Sequence, residues 1–80
     1  MATVVTVSPS AWTALGTGKS KALMQASGKD AEVFIGSSAP STDDDGYRLP
    51  QGIPVSVPGI AEFGGGVWIR GTGAVRYDIV

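Results

Sequence analysis

Glycine and proline break this chain into short pieces: 12 and 5 of its 80 residues, about a fifth together, fall between short runs of β-branched and aromatic residues. Short strands joined by turns are what such spacing builds. The first run is "TVVTV" at residues 3–7, stopped by "SPS". "IPVSV" at 53–57 alternates but carries a proline at its second position, which suits a sheet edge or a strand start. Residues 67–70 and 74–79 supply two further strands.

Other stretches constrain less. "SAWTALGTGKSK" has no clear period, and Trp12 with Leu15 anchors it onto a core as a loop. Residues 19–26 contain good helix formers, yet two helical turns are marginal alone. A hairpin of 22–26 with 31–35 across "SGKD" is preferred, because its second half alternates cleanly. "SSAPSTDDDGYRLPQG" is a loop with its turn at Asp45-Gly46, and "PGIAEFGGG" is a connector or short strand.

Register decides where the closing hairpin points Trp68, since a slip of one residue moves every side chain to the other face. A two-residue turn at Thr72-Gly73 sets Ile69 opposite Arg76 and Val67 opposite Asp78, mixing charge with aliphatics on both faces. A three-residue loop, Gly71-Thr72-Gly73, pairs Ile69 with Val75 and Val67 with Tyr77, and makes one face wholly apolar. This second register puts Val67, Ile69, Val75, Tyr77 and Ile79 on the core and Trp68, Arg70, Arg76 and Asp78 on the other side. An outward tryptophan beside two arginines is then either covered by their guanidinium groups or is an interface anchor. Phe34 joins it, because Val33 and Ile35 take the opposite face of their strand.

Eighty residues form one domain, and a domain of that size buries only about 60% of its unfolded-chain surface. The chain has no cysteine and no histidine, so it has no disulfide and no thiolate or imidazole metal site. Charged residues are 16% and the mean hydropathy is +0.16. Together these point to assembly with other chains. A net charge of −1 with scattered lysines and arginines offers no footprint for nucleic acid or an anionic membrane. "MATVVTVSPSAW" lacks a basic n-region and a long apolar run, so no signal peptide or membrane span is expected, and synthesis in a cytoplasm is.

Catalysis has little to work with: no histidine base, no cysteine, no Gly-x-Ser-x-Gly elbow. No enzyme activity, catalytic residue or cofactor is therefore expected. The run Asp43-Asp44-Asp45 fails the calcium-loop pattern, because with Gly46 at position six the twelfth position is Gly52 rather than a glutamate. "GTGKS" at 16–20 lacks the first glycine of a phosphate loop and reads as a turn.

Three segments carry a resemblance of pattern. "AWTALGTGKSKALMQASGKDAEVFIGSSAP", "GYRLPQGIPVSV" and "GVWIRGTGAVRYDIV" are similar to the early segment, the leucine–proline–glycine turn and the closing hairpin of small all-β virion proteins of tailed bacteriophages, of the head decoration or capsid-associated kind. The resemblance implies a structural, non-catalytic protein located in the virion, which oligomerises, often as a trimer, and binds the major capsid protein or another virion protein.

The fold expected is all-β: a small antiparallel β-sandwich or barrel, jelly-roll-like and oligomeric. Residues 1–12 form an N-terminal strand or arm ordered on assembly, and 13–80 a single β domain. Trp68, Arg70, Arg76, Phe34 and Trp12 are the expected interface residues. Two rival functions are a host-surface or carbohydrate-binding module of a tail fibre or spike, with Trp68 or Tyr47 stacking on sugar, and a vertex or neck connector.

Overall fold

The computed structural model describes residues 2–80 and is all-β: two four-stranded antiparallel sheets pack face to face. The strands are β1 (Thr3–Thr6), β2 (Thr13–Gly16), β3 (Ala22–Ala26), β4 (Glu32–Gly36), β5 (Tyr47–Arg48), β6 (Val55–Val57), β7 (Gly66–Arg70) and β8 (Ala74–Ile79). One short 3₁₀ turn, Ile60–Phe63, lies between β6 and β7. Sheet I has the order β1-β8-β3-β6 and sheet II the order β2-β7-β4-β5.

The pairing is nested. β4 pairs with β5, β3 with β6, β2 with β7 and β1 with β8, as if one long two-stranded ribbon had been folded at the β4–β5 link and then rolled up. Rolling brings β3 beside β8 and β4 beside β7, which makes those four the interior strands. The chain consequently changes sheet at every connection except β4 to β5.

This corrects two expected hairpins. β7 and β8 do not pair with each other, and neither do β3 and β4; each pair is split between the sheets. Ile69 lies opposite Thr13 and Val33, while Val75 lies opposite Val5 and Ala26. The inward faces nevertheless match the alternation. Val67, Ile69 and Val75 are fully buried, and Tyr77 and Ile79 pack against the same core. Alternation dictates which face of a strand is apolar, and two strands that face each other across a sandwich satisfy it as well as two that share a ladder.

The two crossings pack against each other. A Cβ on Gly28, between β3 and β4, would collide with the carbonyl of Thr72, between β7 and β8. Gly73 takes the left-handed conformation expected of it, at φ 82°. The Ser27 hydroxyl ties the links together, donating to the Ala74 carbonyl at 3.0 Å and accepting from its N–H at 2.9 Å.

Met24, Ile60, Ile69, Val67 and Val75 are the largest fully buried side chains, and Leu15, Val33 and Leu49 complete the centre. The accessible surface is 4604 Å², against ~4,500 Å² for a compact monomeric chain of this mass. One chain therefore closes its own core. Residues 3–6 take part as the edge strand β1, and Met1 lies outside the described residues. No helix among the described residues is long and apolar enough to cross a membrane.

The topology has a direct check by NMR. Cross-strand contacts should link Arg76 to both Val4 and Gln25, with no backbone contact between Ile69 and Val75. Ile69→Ala should lower unfolding free energy by about 2–5 kcal/mol in urea titrations.

Candidate functional site

Four of the five expected interface residues meet on the outer face of sheet II. Phe34 and Trp68 lie directly opposite on β4 and β7, with ring centroids 6.2 Å apart in an edge-to-face arrangement. Trp12, just before β2, adds a tilted contact to Phe34 at 5.9 Å. Gly36 and Gly66 are partners two residue pairs along the same ladder, and the rings lie back over them: a Cβ on Gly36 would strike Phe34, and one on Gly66 would strike Trp68. Paired glycines thus give the rings a bed, and each edge-to-face contact adds about 0.5–1.5 kcal/mol beyond burial.

Arg70 locks this layer. Its guanidinium sits 4.2 Å from the Trp12 ring centroid, donates from Nε to one carboxylate oxygen of Glu32, its partner across the ladder, at 2.9 Å, and brings Nη2 within 2.7 Å of the same oxygen as an ion pair. Its Nη1 donates to the Thr42 carbonyl at 2.9 Å and its Nη2 to the Asp44 carbonyl at 3.0 Å. The Trp12 indole N–H donates to the Ser41 carbonyl at 3.0 Å, and the Gly46 N–H reaches the second Glu32 oxygen at 3.4 Å. The 41–46 loop is thereby folded onto the sheet. Hydrogen bonding from Arg70 holds the Glu32 carboxyl below its ordinary value of 4.5, against the partial desolvation that raises it.

Trp68 does face away from the inter-sheet core, as its place in the alternation requires, but it is only 7% exposed. Of the two alternatives for Trp68, a guanidinium cover or an interface anchor, the first is not seen, for the Arg70 guanidinium stacks on Trp12. Arg76 is not part of this layer: it lies exposed on the outer face of sheet I, between Val4 on β1 and Gln25 on β3. Glu32, which orients Arg70, was not among the expected residues. Its only sequence signal was a carboxylate at the start of a strand, and its value depends on the β4–β7 register. Among the described residues no group of three or more His, Cys, Asp or Glu is placed to hold an ion. Asp44 instead accepts from the Ser41 N–H at 2.8 Å.

Other surfaces are open. On sheet I, Val4 (58% exposed), Leu23 (49%) and Arg76 share the outer face with Gln25, Ser56 and Asp78. Beside the edge strands, a groove of about 400 Å³ runs between Val33, Ile35 and Leu49 on one side and Val55, Val57 and Pro58 on the other. Tyr47 (79% exposed) and Phe63 (67%) flank it.

Comparison with family models, curated proteins and solved structures finds no match for this chain.

Removing Trp68 should act on the fold. Trp68→Ala is expected to cost about 3–5 kcal/mol of stability, measured by chemical denaturation of the isolated protein. Because the folded state binds the Glu32 carboxylate form, that stabilisation is complete above pH 4.5 and disappears as pH falls through the lowered native value. Glu32→Gln should therefore flatten the acid limb of the stability–pH curve below about pH 4.5.

Proposed function

We propose that this chain is a non-catalytic structural protein of a bacteriophage virion, a jelly roll that assembles with copies of itself and cements the head shell. The strand order carries the reading. Sheets of order 1-8-3-6 and 2-7-4-5 are what one rolled-up ribbon of four nested pairs gives, and eight-stranded jelly rolls of two sheets serve in viral capsid and lectin domains. The step from architecture to role is one of fold analogy, joined here to the resemblance of the three segments.

The mechanism is binding energy alone. A protein that binds only the assembled shell stabilises it by mass action, in proportion to the logarithm of its concentration over its dissociation constant. The outer face of sheet I is the attachment surface in this reading, since Val4, Leu23 and Arg76 are exposed there while the aromatic layer of sheet II is committed within the chain. A second reading, a host-surface module, is favoured by one observation: Tyr47 and Phe63, both exposed, line a largely apolar groove. Aromatic rings so placed suit stacking on sugars.

Co-sedimentation with heads of the encoding phage tests the first reading. Leu23→Asp should weaken attachment at least tenfold while leaving the midpoint of thermal unfolding within a few degrees of the parent protein. Copies on every capsomer support shell cementing, and a single ring of copies supports a neck connector. Failure to bind heads, with specific retention on a glycan array, would replace it with the host-surface module.

A further inference from the structure

We infer that the concavity around Arg76 on sheet I is a carboxylate-binding site whose ligand is an aspartate or glutamate side chain of a partner protein. The inference rests on the attachment surface proposed above and names the chemistry it recognises.

A depression of about 380 Å³ is lined by Val4, Gln25, Ala26, Ser27, Gly52, Ala74 and Arg76. Its position follows from the ladder: Val4, Arg76 and Gln25 lie side by side on β1, β8 and β3. Its depth follows from side-chain size. Ala74 and Ser27 beyond that row leave the sheet low, and Gly52 borders it, held there by the bond from its N–H to the Ala26 carbonyl at 2.8 Å.

The donors in the depression are unequally committed. Ser27 spends its hydroxyl on Ala74, and the Gly52 N–H on Ala26. Gln25 donates one amide hydrogen to the Gly52 carbonyl at 2.9 Å, which fixes the amide and leaves its second hydrogen available. Arg70 and Arg48 have carboxylates, Glu32 at 2.7 Å and Asp30 at 3.7 Å, but among the described residues Arg76 has no ion-pair partner. A guanidinium presents its donors as a planar fork that matches two carboxylate oxygens. With the Gln25 amide beside it, the site offers a fork and one further donor to the same anion.

The rest of the lining selects the bearer. Val4 and Ala74 suit a short aliphatic stem, as aspartate and glutamate have. No aromatic side chain lines the depression, so a sugar acid would find no ring to stack on.

The test uses the whole protein labelled for NMR, with the Arg76 Nε–H and the Gln25 side-chain amide as reporters. The probes are an acetylated tetraglutamate peptide, its glutamine counterpart and free glucuronate. The glutamate peptide should shift both reporters and saturate in the millimolar range. Arg76→Lys should weaken it about tenfold and Arg76→Gln should abolish it, with the thermal midpoint retained because Arg76 is exposed. The glutamine peptide should do nothing. Absence of a saturable shift, persistence of binding in Arg76→Gln, or tighter binding of glucuronate than of peptide would each overturn the inference. Since this titration needs no particle, a negative result beside intact head binding rejects the pocket alone, and loss of head binding by the unaltered protein rejects the structural role.

Discussion

The Arg70 guanidinium ties together the layer that covers the outer face of sheet II. β7 is an interior strand with Val67 and Ile69 buried between the sheets and Trp68 buried on the other side, so sheet II needs a cover. That cover is the 41–46 loop, made of Ser, Thr, Asp and Gly, with no apolar side chain of its own to bury. Arg70 and the Trp12 indole supply what the loop lacks, by donating to the carbonyls of Ser41, Thr42 and Asp44. Glu32 fixes the guanidinium and Trp12 stacks beneath it. Each partner left alone would be a half-buried polar group without a bond, which is costlier than the bond itself is favourable.

From this follows a difference between the two outer faces. On sheet II, aromatic and charged side chains of the types most enriched at binding hot spots are consumed within the chain. On sheet I, the outer row is Val4, Arg76 and Gln25, with Leu23 alongside, and among the described residues Val4, Leu23 and Arg76 stand exposed there. The glycines reinforce the contrast. Gly36 and Gly66 leave room for the Phe34 and Trp68 rings on sheet II, whereas the small residues near Arg76 leave a hollow. The face with the more conspicuous residues is thus the structural one, and the plainer face is the one proposed for recognition.

Much of this was legible in the sequence at the level of faces and little at the level of partners. Alternation placed Val67, Ile69, Val75, Tyr77 and Ile79 inward and Trp68, Arg70 and Arg76 outward, because a strand's apolar side is the same whichever neighbour it pairs with. The partners were missed for the same reason: local turn chemistry at Gly71-Thr72-Gly73 fits a hairpin as well as a crossing between sheets. β2 and β5 escaped notice because four residues and two residues, respectively, are too short to show a period. Trp12, Phe34, Trp68 and Arg70 could be named as special but not grouped, since the grouping follows from β7 lying between β2 and β4. Arg76 was placed with them only through the hairpin that does not form.

The most direct test of the account is the environment of Trp68 in the free protein. Trp12 and Trp68 are the only tryptophans, so Trp12→Phe leaves Trp68 as the single indole reporter. Its emission in dilute solution, with no partner present, should be blue-shifted and protected from acrylamide. Red-shifted, freely quenched emission from the folded protein would contradict the account, for Trp68 would then be an open surface and not the underside of a sealed layer.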